Sequence, residues 1–559
     1  MEKEFRSLIA NGTWELVDPP SGKRVLPNRW VYSIISGAKS LDAPDIDLEK
    51  ARLVARGDLQ RAGEDYRETY APVVKLVSLR ILLTWTKLRG LHLKHWDVVS
   101  AFLHGDIDVE IYMRQPEGFD DGSGRVCKLK KALYGLCQAA RQFYVRLDSI
   151  LQEVGFVRLS GDWAIWLAED DSGAFIAGHV DDMAVGGKVD QLSTLKSAIS
   201  KHIELKDLGD LRVYLSISIL STPSVFYLYQ TKYIDKVLRE FNMTDAHPVA
   251  TPMLEDDRKR WDDTSSSATP LLDLAGKKRF QAVIGCLLYI MHATRPDIAN
   301  VTIRLSQYAS GPRAIHWEGA KRVLRYLKGT RTYALTLGDV HSLRRTHSVT
   351  SGATDLVGFF DAAHADNGNR KSTCGYVFLL HGSPISWVSR VQRSVALSTT
   401  EAEFVSGTEA AREAIWLKGI LDYVCRPVPV KWPIHLCGDN QGALALARNP
   451  AAHHRTKHIE LRERFITELV SRNVIVVSYV HTSQMIADGF TRCLPKDRHL
   501  EFLSNIGVLP LPQFTTTVKH TIDEATDDAD VSSKADSDSA PPRKRLIPFI
   551  LGWLWDRRG

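Results

Sequence analysis

The stretch on which the fold turns is Phe175-Ile176-Ala177-Gly178-His179-Val180-Asp181-Asp182-Met183-Ala184-Val185-Gly186-Gly187. Two apolar, β-favouring runs flank a short polar centre, which predicts a β-hairpin with the acid pair at its turn. Adjacent carboxylates repel, so the pair calls for a compensating charge, and a divalent cation held by oxygen ligands is the usual one. Taken alone, an ordinary Asp-rich hairpin tip accounts for the pair better. The rest of the chain must therefore supply the partners of a metal site.

The first partner lies upstream, in His95-Trp96-Asp97-Val98-Val99-Ser100-Ala101-Phe102-Leu103-His104-Gly105. Asp97 follows Leu91 and Leu93 and precedes two valines, as a carboxylate at the end of a buried strand would. Aspartate is disfavoured in strands, so its place there needs a reason; an N-cap for the turn near Ser100 is the bland one. Further upstream, Lys50-Ala51-Arg52-Leu53-Val54-Ala55-Arg56-Gly57 alternates basic and apolar residues. A strand here puts Lys50, Arg52 and Arg56 on one face and Leu53 and Ala55 on the other. Such a face suits phosphate, and equally a charged edge strand protected from aggregation. Downstream, Leu133-Tyr134-Gly135-Leu136-Cys137-Gln138-Ala139-Ala140-Arg141 leads into apolar positions three and four apart, predicting a helix from about Gln138 to Glu153.

The composition is that of a globular protein with sizeable cores: 44% hydrophobic and 25% charged over 559 residues, enough for three or four domains. A net charge of +6 with 72 Lys and Arg permits a polyanionic partner without demanding one. The 7 cysteines include no Cys-x-x-Cys pair, which points away from a zinc site or disulfide framework and toward a reducing interior. The charged N-terminus does not read as a signal peptide, and no apolar run is long enough to span a membrane. The expectation is a soluble, intracellular protein.

Asp97 with Phe102, then Leu-Tyr-Gly-Leu-Cys-Gln-Ala, then Val-Asp-Asp, in that order, resembles the reverse transcriptase of copia-type long-terminal-repeat retrotransposons. The likeness runs on through Glu68-Thr69-Tyr70-Ala71-Pro72-Val73, Ile111-Tyr112-Met113-Arg114-Gln115-Pro116-Glu117-Gly118-Phe119 and Lys206-Asp207-Leu208-Gly209-Asp210-Leu211, and covers roughly residues 1–495. It implies a right-hand polymerase of fingers, palm and thumb, an α+β fold, followed by an α/β ribonuclease H-like domain. By the resemblance, Asp97 and Asp181 ligate two Mg²⁺ ions, with Mn²⁺ as a substitute, and Asp182 completes the cluster. Phe102 matches the gate that excludes a ribose 2′-hydroxyl. Lys50 and Arg52 match the fingers residues that hold the triphosphate. Tyr134, Gly135 and Gln138 belong to the segment against the incoming base and template, and Lys206 to the region of a proton donor to pyrophosphate.

Farther on, the chain offers a second set of acids. Leu356-Val357-Gly358-Phe359-Phe360-Asp361 and Ile434-His435-Leu436-Cys437-Gly438-Asp439 are apolar strands ending on an acid; Ser398-Thr399-Thr400-Glu401-Ala402-Glu403 opens a helix; Asp488 is the fourth. Singly, each is a common cap or strand-end residue. In a strand–helix–strand–helix order they are what a two-metal nuclease needs. They resemble the ribonuclease H of the same elements, with Arg370–Tyr376 and His454–Ile459 extending the match. By that likeness Asp361, Glu403, Asp439 and Asp488 bind two Mg²⁺; Glu403 is preferred to Glu401 because it begins the run facing the strands. His481 reads as a surface-loop histidine, with a role in product release as the alternative.

The organisation expected is fingers and palm over 1–222, thumb and connection over 223–350 with a polar linker at 253–275, a ribonuclease H-like domain over 351–495, and a largely disordered tail over 496–559. The helix carrying Lys321, Arg322, Arg325 and Lys328 presents a basic stripe, by default a solvated face; the resemblance inclines it toward nucleic acid. Pro541-Pro542-Arg543-Lys544-Arg545 has the composition of a short nuclear import signal. No protease or integrase motif precedes the polymerase motifs, as expected for the downstream part of a polyprotein. The implied partners are an RNA template, a DNA primer, an RNA–DNA hybrid and deoxynucleoside triphosphates, with no membrane and with association into an oligomer left open. The implied location is cytoplasmic virus-like particles, the nucleus, or both. Five positions depart from the family's usual pattern: His179 for Tyr, Ala140 for Pro, Ser216 and Ser218 in Leu215-Ser216-Ile217-Ser218 for Leu-Gly-Ile-Glu, and Ala363 for the second Asp of Asp-Ala-Asp. None is a proposed metal ligand. His179, Ala140 and Ser216 motivate the rival reading, a degenerate or repurposed nucleic-acid-binding remnant without turnover.

Overall fold

The computed structural model describes residues 1–35, 48–170, 172–262, 269–340, 356–426, 433–448 and 465–512. Contacts along the chain divide its described residues into one unit within Met1–Lys75 and Leu91–Arg212 and another of Leu76–Gly90 with the described residues after Arg212.

In the first unit the strands are β1 (Trp14–Val17), β2 (Val25–Leu26), β3 (Asn28–Ile35), β4 (Leu48–Ala55), β5 (His92–Val98) and β6 (Tyr112–Met113). They continue with β7 (Val126–Leu129), β8 (Phe156–Arg158), β9 (Ile165–Ala168), β10 (Phe175–His179), β11 (Asp182–Gly187) and β12 (Leu205–Asp210). The principal sheet is antiparallel, in the order β12-β5-β11-β10-β9-β8. Its faces differ because side chains alternate along a strand. Trp96, Val98, Met183, Val185 and Ile176 pack under two helices, Ala139–Glu153 and Val189–Ile199, with Phe143, Leu147, Ile150, Leu192 and Ile199. The intervening residues His95, Asp97 and Asp182 belong to the opposite face. A small sheet, β1-β7-β6-β2, and the β3–β4 hairpin complete this unit. Leu53 and Ala55 are buried in its second core, as the alternation of β4 predicts. Arg56 lies past the strand end and is taken up by Asp58 through paired 2.8 Å hydrogen bonds.

The second unit contains β13 (Val213–Tyr214), β14 (Ile217–Ser221), β15 (Val225–Tyr229), β16 (Tyr333–Gly338), β17 (Leu356–Ala363), β18 (Thr373–Leu380), β19 (Ser383–Val391), β20 (Ile434–Gly438), β21 (Ile475–Tyr479) and β22 (Val508–Pro510). One sheet runs β13-β14-β15-β16-β22 and the other β19-β18-β17-β20-β21. In the latter the first three strands form an antiparallel meander, and β20 and β21 run parallel to β17. That order and sense are the ribonuclease H-like arrangement. The Thr399–Val424 helix crosses it, its Ser406 hydroxyl donating to the Asp361 carbonyl at 2.7 Å. The Phe360 ring lies where a Cβ on Gly407 or Gly438 would meet it, at 3.1 and 2.6 Å.

Several expectations are corrected here. The Leu76–Leu88 helix belongs to the second unit, because Arg80 anchors it there: its Nε donates to the Ile385 carbonyl at 2.7 Å, Nη1 to that of His292 at 2.8 Å, and the guanidinium lies 3.9 Å from the Trp387 ring centre. The compact units divide at Arg212 and around 76–90. Within 253–275 the described residues include a helix, Asp257–Asp262, whose Trp261 is buried beside Gly319, while 263–268 lie outside the described residues. The basic stripe on the Ala314–Gly329 helix is partly consumed by local packing. Arg322 donates to the Thr251 hydroxyl at 3.1 Å and Arg325 to the His247 carbonyl at 2.6 Å. No helix among the described residues is long and apolar enough to cross a membrane. His454–Ile459, Pro541–Arg545 and the tail beyond 512 lie outside the described residues.

Two candidate metal centres

The first candidate centre is built by register. The hairpin forms as expected, with Phe175 opposite Gly186 and His179 opposite Asp182, leaving Val180 and Asp181 as a two-residue turn. Val180 sits at φ +61°, a conformation that costs a β-branched residue roughly 1–2 kcal/mol. On the other side of β11, Asp182 pairs with Asp97, and the Val98 amide donates to the Asp181 carbonyl at 2.9 Å. Three acids from two strands thus converge on one sheet end. Burial raises the carboxyl pKa values of Asp97 and Asp181, and the neighbouring acids raise them further. Asp182 also makes a close contact with the His95 ring, and its charge still bears on Asp97.

The cations expected of this site are near. Lys50 lies within electrostatic reach of Asp97 and Asp181, and Arg52 of Asp181; burial depresses the Lys50 pKa. The Arg52 guanidinium lies 5.4 Å from the Tyr134 ring centre, with its Nε buried and unpaired. Tyr134 in turn meets the half-buried Phe102 edge-on, with ring centres 4.8 Å apart. Cation, phenol and phenyl ring therefore form one continuous wall. Gly135, at φ +91°, allows it: a Cβ there would come 2.2 Å from the Ala55 carbonyl oxygen, where β4 crosses. Gln138 is fully buried and spends its carboxamide locally, accepting from Gln60 at 3.1 Å and donating to the Asp65 carbonyl at 3.0 Å. Lys206 is exposed and sits directly opposite Asp97 on β12. Two residues here were not anticipated. His95 stands two positions before Asp97, the spacing that shares a strand face. Glu4, half-buried from the N-terminal helix Glu2–Ala10, interacts with Arg52 and Lys50.

The second candidate centre is tighter. One carboxylate oxygen each from Asp361, Asp439 and Asp488 lies within 4.8 Å of the others, which among the described residues no other set of three His, Cys, Asp or Glu side chains achieves. Asp361 comes from the middle sheet strand β17, Asp439 follows β20, and Asp488 opens a single helical turn, Asp488–Thr491. Glu403 stands on the first turns of the crossing helix, buried against Asp361 and Asp439, with one carboxylate oxygen lacking a hydrogen bond. Glu401 instead is only half-buried and accepts from the Leu397 amide at 2.7 Å at the helix start, where Ser398 caps the Glu401 amide. Burial first, then Asp361 and Asp439, push Glu403 up to about 10; burial and Asp361 push Asp488 up to about 7. Asp361 accepts from the Thr491 hydroxyl and from Arg492, neither anticipated. Asp439 accepts from the Thr482 hydroxyl at 2.8 Å. His481 is exposed, its ring bound to Ser483. Hard oxygen donors, clustered, buried except for the half-buried Asp439 and repelling one another, with an orphaned oxygen on Glu403, are a donor set that fits divalent cations.

A sequence profile described as "Reverse transcriptase (RNA-dependent DNA polymerase)" matches residues 11–255. The Pol polyprotein of transposon TNT 1-94 from Nicotiana tabacum is 38% identical over 509 residues, 89% of this chain and 37% of that polyprotein. That of transposon RE2 from Arabidopsis thaliana is 35% identical over 518 residues, 92% of this chain and 34% of the relative. The putative transposon Ty5-1 protein YCL074W of Saccharomyces cerevisiae is 31% identical over 324 residues, 57% of this chain and 99% of that protein. The chain belongs to the copia-type retrotransposon Pol family. It spans about a third of the length of the plant Pol polyproteins it matches. Among solved structures, the foamy viral protease-reverse transcriptase with double-stranded DNA is similar at 13% identity and a TM-score of 0.46, over 86% of this chain and 70% of that one. LC11-RNase H1 is similar at 12% identity and a TM-score of 0.20, over 25% of this chain and 93% of that one. Within this Pol family, then, the two acid clusters are the features whose chemistry needs an account.

Proposed function

We propose that this Pol chain is an RNA-directed DNA polymerase with a fused ribonuclease H. The observation that carries the polymerase reading is the register that sets Asp182 opposite Asp97 beside the Asp181 turn, with Lys50 and Arg52 within electrostatic reach. Asp97 and Asp181, assisted by Asp182, would hold two divalent ions, Mg²⁺ or Mn²⁺, which when bound offset charge on the attacking 3′-oxygen and the leaving pyrophosphate. Lys50 and Arg52 bind the triphosphate of a deoxynucleotide. The Phe102–Tyr134 wall supports the sugar and leaves no room for a 2′-hydroxyl. Gly135 lets the chain cross close to β4, and buried Gln138 positions the 60–65 loop beside the wall rather than touching substrate. Lys206, exposed opposite Asp97, is placed to give a proton to the leaving group.

For the ribonuclease, Asp361, Glu403, Asp439 and Asp488 would hold the ions that activate water against the RNA strand of a hybrid. The substrates follow: a primed RNA template, deoxynucleoside triphosphates and an RNA–DNA hybrid. The rival reading, binding without turnover, draws support from the His95–Asp182 pair, which leaves the first cluster looser than the second. Primer extension on an RNA template with Mg²⁺ and deoxynucleotides separates the two. Extension that disappears in Asp97→Asn is expected; protein that binds primer–template and never extends it favours the rival.

A further inference from the structure

The Asp488–Thr491 turn delivers more than one carboxylate to the second cluster. Asp361 is fully buried in β17, and both its oxygens are approached by Arg492, whose Nη2 lies 3.1 Å from Oδ1 and 3.4 Å from Oδ2. The same guanidinium lies 3.7 Å, through Nε, from Oδ1 of Asp488, a buried oxygen with no hydrogen bond. Arg498 lies 3.8 Å from the other Asp488 oxygen. The backbone is pinned: the Arg492 amide donates to the Asp488 carbonyl at 2.9 Å, and Phe490 is fully buried where a Cβ on Gly375 would come within 2.6 Å of it. The Arg492 side chain is nonetheless 44% exposed. Its root is fixed, its head is in the acid cluster, and solvent is open beside it.

Resting on the ribonuclease reading above, we propose that Arg492 is a resident counter-cation of the cluster: it holds Asp361 and Asp488 together without divalent ions and must yield the Asp361 oxygens as ions bind. A guanidinium and a divalent ion at one carboxylate are like charges competing for the same lone pairs. Arg492 is thus a positioning residue that sets the metal requirement of the site.

The test uses the full chain with Asp97→Asn, so that Mg²⁺ titrated alone into metal-free protein reports on the second cluster by calorimetry. Arg492→Met keeps the apolar stem and removes the charge. It is expected to bind Mg²⁺ about tenfold tighter, the effect of one partly screened competing charge, and to melt lower in EDTA, with the deficit gone at saturating Mg²⁺. Arg492→Lys, a cation without the planar fork, is expected to fall between the two. Unchanged or weaker Mg²⁺ binding in folded Arg492→Met overturns the proposal, and if Arg492→Met does not fold, Mg²⁺ binding in Arg492→Lys no tighter than in the parent does the same. The ribonuclease reading fails separately, if Asp439→Asn leaves the Mg²⁺ isotherm of the parent unchanged.

Discussion

Glu403 shows what a single buried acid contributes and what it costs. Its carboxyl is pushed up to about 10 and that of Asp488 to about 7, burial being the largest cause for both. A carboxyl whose pKa is raised on folding keeps a proton that the unfolded chain would release. Its contribution to stability is therefore complete below the unfolded value, near 4.5 for Glu and 3.8 for Asp, and is lost as pH rises toward the folded value. Between pH 6 and 8 the metal-free cluster becomes steadily harder to keep folded, and cations that take the place of the protons relieve it. Mg²⁺ is accordingly expected to raise the melting temperature more at pH 8 than at pH 6, and to release protons on binding at pH 7. Melting curves at the two pH values, and calorimetry in buffers of different ionisation enthalpy, check both. A Mg²⁺ gain independent of pH would mean that the acids do not titrate in this range. Glu403→Gln should remove much of the dependence, because it deletes the group with the widest titration window.

Elements set which of these residues could be read in advance. Strand alternation made the strand ending near Asp97 and the hairpin turning at 181–182 legible, while these acids and the four later carboxylates were singled out as candidate ligands by the family resemblance. That Glu403 is buried against the strands was legible too, from the helical face. Contacts made across the fold were not. Gln138 is buried because a loop seventy-odd positions away closes over it; Arg80 carries its helix into the second unit through Ile385 and Trp387; and the Asp257–Asp262 helix is anchored where Trp261 meets Gly319. Arg492 had a local signal, a cation four residues after Asp488, that passes for an ordinary helical pair. The β13–β14 hairpin gives one departure from the family pattern a physical meaning. Tyr214 pairs with Ile217, so Leu215 and Ser216 are the turn, at φ +51° and +59°. Two positive φ values make a turn that favours glycine, the residue the family usually has at position 216. Ser216→Gly is expected to stabilise the second unit by about 1 kcal/mol, read as a higher melting temperature with unchanged catalysis; a lower one would show that the Ser216 side chain supports the turn in a way the backbone does not reveal.

At the scale of the whole chain, the two acid clusters fall in different compact units, each complete in its own unit: Asp97, Asp181 and Asp182 in the first, Asp361, Glu403, Asp439 and Asp488 in the second. No carboxylate is shared, so removal of one charge in either cluster should act on one chemistry. Asp439 is the sharpest probe, because it follows β20 at the rim of the sheet and is less buried than Asp361, so its replacement disturbs folding least. Asp439→Asn is expected to lower cleavage of the RNA strand in a hybrid by a factor of at least about 100, the scale of losing a ligand's charge at a metal centre, while primer extension on an RNA template stays within about twofold. Asp97→Asn should do the reverse. Both activities are measured on one preparation, with a labelled primer for extension and a labelled RNA strand for cleavage. Loss of both in either variant, with melting temperatures unchanged, would mean that the two clusters serve a single coupled site, contrary to their separate construction.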